Sequence, residues 1–156
     1  MSNRVMVIGW DCAPPELVLE AWKNDLPNIS KLMATGMYGP LRSTDPPITV
    51  PAWTAMMSSQ AGKRVCVLSV PQTFPIKPVN GVVVSCFLTH STDSDFVYPK
   101  DLKREVQQVS DGYIIDVDNF RTEDKQWLLD EIYRMTDKQF AVAKHFLQKE
   151  RWDFFM

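Results

Sequence analysis

Two stretches of the chain are apolar without alternation, Val5-Met6-Val7-Ile8-Gly9-Trp10 and Val65-Cys66-Val67-Leu68-Ser69-Val70. A strand with one wet face alternates apolar and polar residues, whereas a strand covered on both faces does not, so both runs predict strands of a parallel sheet. Gly81-Val82-Val83-Val84-Ser85-Cys86-Phe87 is a third apolar run, compatible with a strand or a buried loop. Tyr113-Ile114-Ile115-Asp116-Val117 alternates well enough for a strand. Tyr38-Gly39-Pro40-Leu41-Arg42-Ser43 reads as a weak, edge-like strand, because its proline has no N–H to give to a ladder. Trp152-Asp153-Phe154-Phe155-Met156 begins a further buried strand.

Between these runs the apolar spacing changes to threes and fours. Pro14-Pro15-Glu16 opens a helix with Leu17, Val18, Ala21 and Trp22 on its apolar side, ended by Pro27. A shorter helix over 28–34 carries Ile29, Leu32 and Met33, with Gly36 as its stop. Pro51 opens a helix over 52–59, and 99–106 reads as a short surface helix. The longest helix starts at Thr122 as N-cap, has Glu123 and Asp124 in its first turn, and carries Leu128, Ile132, Thr136, Phe140, Ala143 and Leu147 on one face. Lys144, Lys149 and Arg151 lie toward its end, where cations suit the helix dipole. Strand, helix, helix, weak strand, helix, strand is the rhythm of a doubly wound α/β domain, with a mostly parallel sheet and helices on both faces. The 156 residues suffice for one such domain with a core of its own.

Composition narrows the partners. The chain is 45% hydrophobic with a formal net charge of -2, so no global basic field recruits a nucleic-acid polymer or an anionic membrane. A phosphate ester would need a local site. The first apolar run is too short for a signal peptide and no run approaches the roughly 20 apolar residues of a membrane span. Three cysteines, Cys12, Cys66 and Cys86, lack CxxC spacing and fit a reducing compartment, with Cys66 and Cys86 as core residues. These features give a cytoplasmic expectation.

Familiar phosphate and nucleophile motifs are missing. Gly9-Trp10-Asp11-Cys12-Ala13 lacks the second glycine of a dinucleotide fingerprint, Gly62-Lys63-Arg64 is not a P-loop, and no GxSxG elbow exists. His90 falls in a loop and His145 lies off the apolar stripe of the long helix, where it reads as solvated. Two positions remain. Asp11 closes the first strand, where it either works on a ligand or metal beyond the carboxyl end of the sheet or caps the next helix. Thr49 stands before the helix opened by Pro51, where free backbone N–H groups favour a bound phosphate or a nucleophilic oxygen; its other reading is a plain N-cap. Trp53, one turn on, packs in the core or lines a pocket.

These residues carry a resemblance. The Ile8-Gly9-Trp10-Asp11 turn, the helix Pro27-Asn28-Ile29-Ser30-Lys31-Leu32 with Gly36, and Pro46-Pro47-Ile48-Thr49-Val50-Pro51-Ala52-Trp53 resemble the type I phosphodiesterase/nucleotide pyrophosphatase family of the alkaline phosphatase superfamily. Val70-Pro71-Gln72-Thr73-Phe74-Pro75 and Val79-Asn80-Gly81-Val82 are similar to its later segments. The resemblance implies an alkaline-phosphatase-like α/β core, a hydrolase with two divalent metal ions, usually zinc, and small phosphate esters or nucleotides as substrates. By the same match Asp11 is a metal ligand, and Thr49 is both metal ligand and nucleophile. Val50 N–H is the candidate oxyanion donor by its position at the helix mouth. The family's other Asp and His ligands lie on segments after the strand that begins at Trp152, and the junction Ser59-Gln60-Ala61-Gly62 is shorter than its counterpart. The expectation is therefore the N-terminal part of a larger catalytic domain. A phosphomonoesterase or phosphomutase of the same superfamily, or a non-catalytic fragment lacking the remaining ligands, is the alternative.

Overall fold

Five short strands form one sheet in the computed structural model, which describes residues 4–48, 52–53 and 62–156. They are β1 (Val5–Met6), β2 (Val65–Leu68), β3 (Gly81–Val84), β4 (Val97–Tyr98) and β5 (Phe154–Phe155), in the order β1-β5-β2-β3-β4. All neighbours run parallel except β3 and β4. The last strand in sequence is thus inserted between the first two. Val5 N–H and Val7 N–H donate to Asp153 and Phe155 carbonyls, while Met156 N–H donates to Cys66 C=O. The helices are α1 (Pro27–Thr35), α2 (Lys103–Val109) and α3 (Lys125–Lys149), with a π-helical turn at Glu16–Ala21.

The unbroken apolar runs are explained by two cores, one on each face of the sheet. Cys66, Val82, Val84 and Phe155 point to one side, where Val106 of α2 and Val142 and Phe146 of α3 close over them. Val65, Val67, Val83 and Phe154 point to the other, against Val7, Trp53, Ile76 and Val79. Period-two alternation along each strand sends successive apolar side chains into different cores. Gly81 begins β3 at φ +144, and a Cβ there would lie 1.9 Å from the Val65 carbonyl oxygen. Only glycine permits that approach at that backbone angle.

The sheet is α/β and mostly parallel, as the apolar runs predict, but several elements differ. The first run is not covered on both faces: β1 is an edge strand, Ile8 and Trp10 are 76% and 54% exposed, and no described residue of 4–48 is buried. Only Val7 of that run packs against a core, because β1 has β5 on one side alone. Residues 38–43 are exposed and form no ladder. Tyr113–Val117 is not a strand either, because side chains satisfy its backbone. Gln107 accepts the Tyr113 N–H at 2.8 Å, Gln139 donates to the Ile114 and Ile115 carbonyls, and Asp116 accepts the Val117 N–H.

The long helix begins three residues after Thr122. Asp124 is its N-cap, accepting Trp127 N–H at 2.9 Å, and Thr122 caps Asp124 in turn. Its buried face runs through Val142 and Phe146, so Ile132 and Phe140 of the expected stripe are left exposed. The 99–106 helix is a 3₁₀ turn, Lys100–Leu102, followed by α2. Gly36 ends α1 in extended conformation, with no left-handed cap. Of the helix over 52–59, Ala52 and Trp53 are helical and 54–59 lie outside the described residues, as do Gln60 and Ala61 of the junction. No helix among the described residues is long and apolar enough to cross a membrane.

Candidate functional site

Parallel sheets gather ligands beyond the carboxyl ends of their strands. Here the ends of β1, β5 and β2 open onto a cavity of about 350 Å³ whose wall includes Met6, Gly9, Trp53, Ser69, Phe140 and Met156. Phe140 is exposed because it faces this space instead of the core. Ser69 sits at the end of β2 with φ 56, left-handed for a residue with a side chain. Its backbone N–H donates to Val84 C=O at 2.9 Å, and its hydroxyl bonds the Tyr113 hydroxyl at 2.9 Å. Burial pushes the Tyr113 phenol above its ordinary pKa, and the Ser69 hydrogen bond offsets part of that. Gln139, the other polar wall residue, is committed to the Ile114 and Ile115 carbonyls. The cavity therefore offers an apolar lining.

Gly9 and Trp53 are in direct contact at its mouth. A Cβ on residue 9 would stand 2.2 Å from Trp53 Cη2 and 2.4 Å from Cζ3. No side chain fits between the end of the first strand and the indole. Trp53 is half-buried, packs against the second core and also lines the cavity. Ala52 N–H donates to Ile48 C=O at 3.2 Å, tying the described residues on either side of Thr49 and Val50 together. Thr49 and Val50 themselves lie outside the described residues.

Asp11 follows Gly9 by two residues, in an exposed turn where Cys12 has φ 55. It does not cap the next helix. Pro15 is the cap residue of the Glu16–Ala21 turn, which has no side-chain cap. The Asp11 carboxylate makes no hydrogen bond or ion pair with another described residue, and it is open to solvent beyond the sheet's carboxyl edge. Among the described residues, no three of His, Cys, Asp or Glu converge to hold a metal ion. A two-metal centre therefore does not fit the described donors alone, since Asp11 belongs to no group of three such donors among them.

The chain from β1 through Trp53 to the edge of β2 is also where the likeness to known proteins falls. Residues 5–63 match the sequence model of the type I phosphodiesterase / nucleotide pyrophosphatase family. The match takes in Asp11, Thr49, Val50 and Trp53 and little more than a third of the chain; the similarities noted at 70–75 and 79–82 fall outside it. No curated protein and no solved structure matches the chain. No described residue of that segment is buried, while residues 65–156 supply the buried residues of both cores.

Sequence reasoning left a second polar cluster unassigned. Glu105 on α2 accepts from Lys149 at 2.6 and 2.7 Å and bonds His145 Nε2, both on α3. His145 is half-buried in this cluster, where the sequence suggested a solvated ring. The i, i+4 spacing of His145 and Lys149 on one helix face was the available signal. His90 lies in an exposed loop as expected, edge-on to Phe74.

Proposed function

We propose that this chain provides the nucleophile side of a hydrolase that cleaves phosphodiester or nucleotide pyrophosphate bonds through a phosphothreonine at Thr49. The observation that carries this reading is the family match over 5–63, which contains the acid and the hydroxyl together. The Gly9–Trp53 contact supports it, because it holds the chain four residues after Thr49 against the chain two residues before Asp11.

In this reading the Thr49 oxygen attacks phosphorus, the bond to the leaving oxygen breaks, and that oxygen takes up a proton. Water then attacks the phosphothreonine, releasing the phosphate product and restoring the hydroxyl. Val50 N–H donates to the oxygen on which charge develops. Two divalent cations, zinc foremost, are the proposed cofactors; Asp11 is the one described residue assigned to them. The cavity beside Trp53 receives the apolar part of a small ester or nucleotide, and neither a nucleic-acid polymer nor a membrane is required.

A specific observation favours a second reading. The described residues hold no group of three metal donors, which suits a phosphate-binding segment without turnover. Turnover of bis(4-nitrophenyl) phosphate and 4-nitrophenyl phosphate with added zinc separates the readings. Preference for the diester supports the proposal, preference for the monoester supports a phosphomonoesterase or phosphomutase, and turnover of neither supports the non-catalytic segment.

A further inference from the structure

The amino ends of the four parallel strands border a second groove, of about 730 Å³, at the opposite edge of the sheet from the apolar cavity. Arg4 precedes β1, Arg64 precedes β2, Asn80 precedes β3, and Arg151 lies in the turn from α3 to β5; all four line the groove. We propose that this groove binds a multiply charged oxyanion through the guanidinium groups of Arg4, Arg64 and Arg151.

Pre-organisation is the first argument. The Arg4 guanidinium lies 4.9 Å over the Trp152 ring. That ring is itself fixed, since Nε1 donates to Leu147 C=O at 3.2 Å and the ring meets Phe155 edge-on. The Arg64 backbone is clamped from both sides: its N–H donates to Asp153 Oδ2 at 3.0 Å, and its C=O accepts from Asp153 and Phe154 N–H. A guanidinium already seated on a fixed ring, as that of Arg4 is, loses less freedom when a ligand arrives.

Availability is the second. None of the three guanidinium groups makes an ion pair or a hydrogen bond with a described residue. Nearby acceptors are served by others. Lys149 is committed to Glu105, and the Phe146 and Leu147 carbonyls at the end of α3 take the Glu150 N–H and the Trp152 indole. Asp153 is engaged by the Arg64 N–H. Against three cations stand the Glu150 and Asp153 carboxylates, which also line the groove, and the helix end, worth about half a negative charge, leaving these groups positive by about half a charge. The local balance is positive in a chain whose net charge is -2.

Guanidinium forks pair bidentately with phosphate and carboxylate, and three forks exceed what one monovalent anion accepts. Phosphate-bearing and polycarboxylate ligands share that chemistry. Calorimetric titration of the full chain with pyrophosphate and with citrate, at fixed ionic strength, distinguishes them. Saturable binding of one or both is expected, with pyrophosphate alone indicating a phosphate-bearing ligand. The Arg4→Gln/Arg64→Gln/Arg151→Gln variant weakens it about tenfold or more through loss of charge-assisted hydrogen bonds, and each single substitution weakens it in part. Asp11→Asn, at the other edge of the sheet, leaves it unchanged and so separates this groove from the proposed hydrolytic site. Absence of saturable binding, binding indifferent to all the arginine substitutions, or binding lost in Asp11→Asn overturns the proposal.

Discussion

The indole of Trp53 occupies the space that a side chain on Gly9 would need, with ring carbons 2.2 and 2.4 Å from the position of a Cβ. This contact joins the edge strand to the segment that leads on from Thr49. Gly9→Ala is expected to displace the ring and destabilise the chain by about 1–3 kcal/mol, the usual cost of overpacking. Equilibrium denaturation with Trp fluorescence reads both effects. Adding Trp53→Leu to Gly9→Ala should restore part of the loss, giving a coupling energy between the two sites. Additive losses would mean the two residues do not share this space.

The Glu105 cluster gives a pH dependence with a definite sign. Lys149 first, then His145, hold the Glu105 carboxyl below its ordinary value of 4.5 by hydrogen bonding to the ionised form. A carboxyl lowered on folding stabilises the protein above its unfolded pKa and loses that contribution as pH falls through the folded one. Glu105→Gln should therefore cost about 0.2–1 kcal/mol at pH 7, the range for partly exposed pairs, and less in high salt. Denaturation midpoints of the two proteins should converge as pH drops below 4.5. A gap that widened in acid would contradict this role for the cluster.

The three thiols should differ sharply in reactivity. Cys12 is exposed, whereas Cys66 and Cys86 are buried. Burial, with a smaller push from Glu150, raises the Cys66 thiol to about 12, leaving almost no thiolate at neutral pH. Iodoacetamide on the native chain should alkylate Cys12 alone, and all three after unfolding, as peptide mapping will show. Rapid native modification of Cys66 would mean that β2 is not the covered strand described.

The strands of the core were legible because both faces of β2, β3 and β5 are covered, which leaves apolar runs without alternation. β1 reads the same way but is exposed: Val5 to Trp10 is as apolar as β2, and nothing in its residues tells that only Val7 reaches a core. Tyr113–Val117 fails as a strand for a different reason, since Gln107, six residues before Tyr113, and Gln139, 25 residues after Ile114, satisfy its backbone. At the candidate site, Asp11 and Trp53 were visible as chemistry-bearing types, but their neighbours were not. The part played by Gly9 needs the approach of Trp53 across some forty residues, and Ser69 joins the cavity only through the fold. The arginine groove was invisible for the same reason, because each cation precedes a different element.

The central claim rests on one hydroxyl. With zinc present, the wild-type chain is expected to hydrolyse bis(4-nitrophenyl) phosphate; Thr49→Ala should lower the rate by about a thousandfold or more, the scale of losing a catalytic nucleophile, while Thr49→Ser retains measurable activity. Hydrolysis by Thr49→Ala at the wild-type rate, or none by the wild-type chain, would contradict the assignment.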